Sequence, residues 1–507
     1  MRRWRAALSA LVCLIAARVA WLEWSYYFRG VPRYRLESAA IALVAVGSIA
    51  LFLRPGDRPA ATTGQARMLL IWLPIFVVAS MCIYGPALRL GLLSDDYVLR
   101  AMAQSGAFGA GSGWFFRPLP LVLWRLVLAL GNSAVPLHAL NILLHGLNAF
   151  LVGTLGVRLG MRAEPALAGA ALFLTFPAAP EAVAWASGLH DVLMTTMALG
   201  AVIAANDEHP GVWRTAGVLG LFTLGLASKE TAICIPVLIA ICWASPQRMQ
   251  HLRDWRLYIT LVVVLGGYGL GRMSLGIREG YLVWPSRYFL KQLVTNAFGT
   301  LVSPFRTPTS PSARWLAFVS VVAVTLLVTH ALLAWHRRDP TFHRAARLTI
   351  WVLAAVAPVF SYFYVNAVLE GSRYVYLAEC GWALLIAALL CALTDRVPRR
   401  SLVFACVVWI AVLACTITVE RELGTWRRAA VLRDRVLTEA HLSIGRGRCA
   451  AARFADVPDS VDGAYVFRNG FAEAVGSSTE QATGVQPDCF FKWSGDSFVP
   501  SVPGKSQ

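Results

Sequence analysis

The 507-residue chain is short of charge. Asp, Glu, Lys and Arg make up 15% of it, against about a quarter of a soluble domain. That scarcity, beside 57% hydrophobic residues, excludes an ordinary soluble fold. Period-2 alternation is missing from the apolar blocks, which excludes a transmembrane β-barrel. No basic domain or aromatic-basic module accompanies the net charge of +18, which argues against nucleic acid as a partner. Tandem repeats are absent. No group of ligand-type residues shows a strong metal-binding spacing, so no cofactor is implied and a divalent metal stays open. The first apolar block is followed by Trp21 to Tyr27 with no small-residue cleavage site, so it reads as a retained helix and not a signal peptide.

What is there is a series of apolar blocks, each roughly 17–22 residues long, enough to cross about 30 Å of hydrocarbon as helix. Only helices and closed barrels satisfy their backbone in lipid. The expectation is an all-α polytopic membrane protein of about thirteen transmembrane helices. We place them near 5–22, 37–53, 68–88, 134–157, 164–179, 189–205, 212–227, 231–246, 257–276, 315–335, 348–366, 374–393 and 401–419.

Arginine sets the orientation. Arg2, Arg3 and Arg5 precede the first block, and Arg54, Arg58 and Arg67 follow the second. Arg158 and Arg162, Arg248, Arg253 and Arg256, Arg337, Arg338, Arg344 and Arg347, and Arg396, Arg399 and Arg400 fall on the same side. That side is cytoplasmic by the positive-inside rule. The N-terminus is then inside and the segment after residue 419 outside, as in a bacterial inner-membrane protein with a periplasmic tail.

Three regions result: two N-terminal transmembrane helices over 1–67, a transmembrane core over 68–419 and a small periplasmic α+β domain over 420–507. The last region turns polar, with an amphipathic helix over 424–440 and strand-like runs over 451–457 and 464–468. Cys449 and Cys489 lie in this polar part, where an oxidising compartment favours a disulfide over two free thiols.

The residues that carry chemistry lie in the loops assigned outside. After the third block come Ser94, Asp95, Asp96 and Tyr97. Adjacent carboxylates raise one another's pKa, which can poise one as a base; the bland alternative is two solvated loop acids. Arg117-Pro118-Leu119 follows, and 118–130 reads as an interfacial helix, since a span there would spoil the arginine pattern. The next helix carries His138, Asn141, His145 and Asn148 on one face. Of these, His138 and Asn141 read as site residues and Asn148 as helix-to-helix glue. The two histidines stand two turns apart, about 10 Å, too far for one ion.

The second loop holds Glu181, Trp185, His190 and Asp191. Asp191 reads equally as a site residue or as a charge at a helix start. A third loop holds Ser228, Lys229, Glu230 and Thr231, and a late one Glu370, Gly371, Ser372, Arg373, Tyr374, Val375 and Tyr376. Lys229 suits a phosphate, unless it merely snorkels beside Glu230. Arg373 offers a fork that matches phosphate oxygens, or else anchors the interface with the tyrosines.

As an ordered set these residues resemble the GT-C superfamily of polyprenyl-phosphate-sugar-dependent glycosyltransferases. The likeness covers roughly 68–393 and is greatest to the protein O-mannosyltransferase-like branch that often carries tetratricopeptide repeats. It rests on Ser94-Asp95-Asp96-Tyr97, Arg117-Pro118-Leu119, His138 to His145, Phe176-Pro177 with Pro180 to Trp185 and Asp191, Ser228 to Thr231, and Arg373 to Tyr376. The repeats themselves are missing here, and two extra helices precede the core. The resemblance implies a GT-C-like bundle with an Asp of the Asp95–Asp96 pair as general base. It implies Lys229, Arg373 and Arg117 around the donor phosphate, and His138, Asn141, Glu181, Trp185, His190, Asp191, Glu230 and Tyr374 lining the substrates. The partners it implies are membrane lipid, a polyprenyl-phosphate-linked sugar and a protein, lipid or glycan acceptor, with inversion at the sugar. A ligase resembling those of O-antigen synthesis and a lipid-linked glycan flippase are the alternatives. The flippase expects charges at mid-membrane and an internal repeat.

Overall fold

A computed structural model describes residues 69–106, 115–131, 133–206, 211–243, 255–275, 297, 299–305, 315, 318–319, 340–359, 365–395, 398–447, 449, 452–476 and 489–501. The fold is mostly helical. Among the described residues six helices are long and apolar enough to cross a membrane: Trp72–Arg89, Val135–Arg158, Ala186–Ala205, Trp255–Ser274, Ser372–Thr394 and Arg400–Gly447. The helices expected over 1–67, at 5–22 and 37–53, lie outside the described residues, as does almost all of 315–335.

In chain order the helices used below are α1 (Trp72–Tyr84), α2 (Asp95–Ser105), α3 (Pro118–Ala129), α4 (Val135–Arg158), α5 (Ala163–Leu174), α6 (Pro180–Ala184), α7 (Leu189–Ala205), α8 (Val212–Ser228), α9 (Ile235–Trp243), α10 (Trp255–Ser274), α11 (Pro340–Val356), α12 (Tyr376–Thr394) and α13 (Arg400–Gly447). The span expected at 164–179 is a shorter helix here, α8 covers the one expected at 212–227, and of the one expected at 231–246 the described residues include α9. α5 stops at Leu174, ahead of Pro177 and Pro180, and α8 stops at Ser228 with Lys229 extended. The span expected at 348–366 is instead α11, which starts at Pro340 and ends at Val356. Pro358 explains the stop, because a proline pushes its predecessor out of the helical region. The helix α3 occupies the stretch assigned to the interface, with Pro118 at its first turn. Twelve residues give it about 18 Å of length, too little to cross hydrocarbon.

Small residues let the helices approach. A Cβ on Gly146 of α4 would lie 2.7 Å from the Val77 Cα of α1, so only glycine fits at this crossing. The Ser80 hydroxyl donates to the Ile142 carbonyl across the same contact at 2.7 Å. The core between the helices holds Trp124, Trp351, Tyr84 and Phe173, all essentially inaccessible.

The boundary placed at residue 420 falls inside α13, which runs unbroken for 48 residues. At 1.5 Å per residue it is about 72 Å long, more than twice the hydrocarbon thickness. Its second half is the amphipathic stretch and buries Trp426 and Arg433, just beyond the buried Glu422. Beyond it strands β1 (Ala452–Ala455), β4 (Cys489–Trp493) and β5 (Phe498–Pro500) form a sheet, β1 parallel and β5 antiparallel to the central β4. The hairpin β2 (Ser460–Val461) and β3 (Ala464–Tyr465) pairs Ser460 with Tyr465. Phe454 packs against Phe491 and Phe498, with ring centroids 5.4 and 4.7 Å away. Cys449 and Cys489 are disulfide-bonded across 40 residues, tying the end of α13 to β4.

Candidate functional site at the loop end of the bundle

The turn into α2, the start of α3, the segment 177–191, the α8–α9 junction and the turn 370–376 meet at one end of the bundle. Backbone hydrogen bonding from below shapes that end. The His138 Nε2 donates to the Gly91 carbonyl at 2.9 Å. The Asn141 amide donates to the Trp185 carbonyl at 2.8 Å. Both side chains are fully buried and hold the loops that carry the site. His145 and Asn148 continue the same face inward. His145 Nε2 donates to Leu174 O at 3.0 Å while Nδ1 accepts from the Tyr376 hydroxyl at 2.6 Å, and Asn148 Nδ2 donates to Val192 O at 3.0 Å. All four residues thus make hydrogen bonds within the fold, while among the described residues His138 Nδ1 and Asn141 Oδ1 find no partner.

Gly91 at φ +67° and Ser94 at φ +49° turn the chain sharply into α2. Arg433 of α13 fixes that turn by donating to the carbonyls of Leu90 at 2.9 Å and Leu92 at 2.5 Å. The two aspartates then part company. Asp96 is wholly buried; it accepts from the Leu93 amide at 2.8 Å, from the Ser187 amide at 2.8 Å and from the Ser187 hydroxyl. Burial pushes its pKa up to about 7, against those hydrogen bonds, and the Asp95 charge is the smallest contribution. The expected mutual repulsion is therefore a minor cause. Asp95 is half-buried. Its Oδ1 accepts from the Asn469 side chain at 2.6 Å and, more weakly, from the Ser94 hydroxyl at 3.5 Å.

Beside the aspartates lies a network of ion pairs. Lys229 pairs with Asp191, and the Arg373 Nε lies 4.0 Å from the other Asp191 oxygen. Arg373 also pairs with Glu181, which accepts from the Ser372 and Tyr465 hydroxyls at 3.2 Å each. The Arg373 guanidinium stands over the rings of Trp185 and Tyr374, 4.7 Å from each centroid. Lys229 stands 4.9 Å from the Tyr374 centroid. Arg117 grips Glu230 at 2.8 and 3.0 Å, and Arg272 reaches its other oxygen at 3.4 Å.

Among the described residues this network holds Arg117, Lys229, Arg272 and Arg373 with Glu181, Asp191 and Glu230. Burial lowers the Lys229 pKa to about 8, with Arg117 and Arg373 acting in the same direction and Asp191 against it. Burial raises the Glu181 carboxyl in spite of Arg373. His190 lies among Arg117, Lys229 and Arg373, and its Nδ1 donates to the Ser187 carbonyl at 2.7 Å. In the neutral ring this leaves Nε2 as an acceptor.

The two halves are joined through Trp185. Its indole donates to the Leu93 carbonyl at 3.0 Å, its ring underlies Arg373, and the neighbouring Ser187 holds Asp96. Asp95, Asp96, Arg117, Glu181, Trp185, His190, Asp191, Lys229, Glu230, Arg373 and Tyr374 therefore belong to one connected cluster. Reasoning from sequence missed Ser187, Arg433, Tyr465 and Asn469. Tyr465 stood in a recognised strand-like run, but nothing local marked its hydroxyl as part of the cluster. A deeper residue, Glu379 of α12, was also missed: it is wholly buried and neither carboxyl oxygen accepts a hydrogen bond among the described residues. Among the described residues no group of three His, Cys, Asp or Glu is placed to hold a metal ion.

Searches against family models, curated proteins and solved structures return no match to this chain.

Proposed function

We propose that the protein is a membrane glycosyltransferase of the inner membrane, moving a sugar from a polyprenyl-phosphate donor to a hydroxyl of a periplasmic protein or envelope glycolipid. One observation carries this reading: Arg117, Lys229 and Arg373, from three distant segments, converge among Glu181, Asp191 and Glu230 in a cluster that Trp185 joins to the turn carrying Asp95. These cations suit the phosphate that leaves as the sugar–oxygen bond breaks. The leaving group is already anionic and needs no proton.

Asp95 is the general base in this reading. Asp96 is inaccessible and accepts from Leu93 and Ser187, whereas among the described residues the donors to Asp95 fall on Oδ1. Its Oδ2 takes the proton of the acceptor hydroxyl as that oxygen attacks the sugar C1 from the face opposite the phosphate, so the anomeric centre inverts. Asp95→Asn should lower sugar transfer by at least about a hundredfold while binding of a polyprenyl phosphate persists. Transfer at the parental rate in membranes carrying the variant would remove the base assignment.

A second reading, movement of a lipid-linked glycan across the bilayer, is favoured by Glu379. Ionisable groups buried in spans mark transport and proton paths, and this one, in α12, has no hydrogen-bond partner among the described residues. A vesicle flux assay in which Glu379→Gln stops movement and Asp95→Asn does not would select it.

A further inference from the structure

The C-terminal unit reaches into the cluster at three points. The Tyr465 hydroxyl donates to Glu181 and accepts from Arg373, at 3.2 Å in each case. The Asn469 side chain donates to Asp95 at 2.6 Å. Between them the backbone is stitched to the turn before α2: the Ser94 amide donates to the Val466 carbonyl at 2.9 Å, and the Asn469 amide to the Ser94 hydroxyl at 3.2 Å. Gly470, at φ +79°, passes so close that a Cβ there would lie 2.5 Å from the Ser94 carbonyl oxygen. Aromatic packing seats the hairpin, with the Tyr465 ring 4.8 Å from Trp185 and 6.1 Å from Trp426.

Each contact has a definite chemical consequence. A phenol that donates to a carboxylate and accepts from a guanidinium fixes their mutual geometry without adding charge. It sets the direction in which Arg373 presents its remaining N–H groups. An amide held on Asp95 Oδ1 orients the carboxylate and directs Oδ2 away from that contact. We infer that segment 465–470 is a wall of the active site, in which Tyr465 positions Arg373 for the donor phosphate and Asn469 positions Asp95 for the acceptor hydroxyl. This inference rests on the transferase reading for its substrates, but the contacts with Arg373 can be tested by binding alone.

The test uses the full-length protein in lipid nanodiscs with a fluorescent polyprenyl phosphate as probe. A parallel assay follows labelled sugar from a polyprenyl-phosphate hexose in membranes lacking the chromosomal copy. Tyr465→Phe keeps the ring and its packing and loses only the hydroxyl; it should weaken probe binding about tenfold. Asn469→Ala should leave probe binding and the donor KM as in the parent and lower kcat at least about tenfold. Protection of Cys489 from alkylation verifies that the unit is folded in each variant. Parental behaviour of both variants overturns the inference, as does an equal loss of binding and turnover in both, which would mean packing alone. Probe binding by the parent without sugar transfer would refute the transferase reading and leave Tyr465 to be judged on binding. No binding by the parent would refute both.

Discussion

Lys229 keeps its charge where only 4% of the residue is exposed, and burial brings its pKa down to about 8 despite the Asp191 carboxylate. The ammonium is therefore charged below about pH 8 and lost above it. A phosphodiester donor carries the same single negative charge on both sides of that value. Affinity for a polyprenyl-phosphate hexose should thus fall as pH rises through about 8, and Lys229→Arg should carry full affinity to about pH 9 or beyond, since guanidinium does not titrate there. Donor titrations at neutral and at alkaline pH check this; parental affinity that does not change with pH would take Lys229 out of the donor site. Sequence placed Asp95 and Asp96 together but could not tell them apart, because one helical step decides which carboxylate is enclosed. In the fold Asp96 points at the 187 turn and Asp95 at residue 469. His138 and Asn141 show the same limit. Their polar face was legible from spacing, but whether it met a substrate or a carbonyl depended on which loops lay above it.

Among the elements, α13 departs furthest from expectation. A change of composition at residue 420 looked like a domain boundary, yet the main-chain hydrogen bonds of a helix do not register whether its side chains face lipid or water. The helix accordingly continues and carries Trp426 and Arg433 into the site region. The disulfide fastens the end of α13 to β4, the central strand of its sheet. Cys449→Ser should leave Cys489 open to alkylation in oxidised membranes, with the parent unreactive; equal labelling of Cys489 in the two proteins would show that no bridge forms. Loosening this joint should also lower turnover, because the same unit presents Tyr465 and Asn469. Proline had the opposite effect on α11. There Pro358 cut short a span that hydropathy alone extended to residue 366, since hydropathy does not register a steric stop.

On the scale of the whole molecule, the described residues carry a second charge cluster. Opposite the candidate site, Arg162 pairs with Asp395 at 2.8 Å, and Arg400 lies 3.7 Å from the same carboxylate. Two arginine-bearing loops thus meet. If that orientation is right, Asp462→Cys, at an exposed position of the C-terminal unit, should react with a membrane-impermeant maleimide applied from the periplasm. Asp395→Cys should react only after permeabilisation, each measured above the labelling of the parent cysteines. Reversed accessibility would place the cluster in the cytoplasm and remove the donor chemistry proposed for it. Composition and period alone established a helical membrane protein with a polar C-terminal unit, because the bilayer leaves a chain few ways to satisfy its backbone. They also established which loops hold the ionisable groups, since burying charge in lipid is costly. Assignment of partners among those groups came only with the fold. Ion pairs and hydrogen bonds act over a few ångströms between residues up to 375 positions apart, and no local pattern records which distant side chains will lie within that reach.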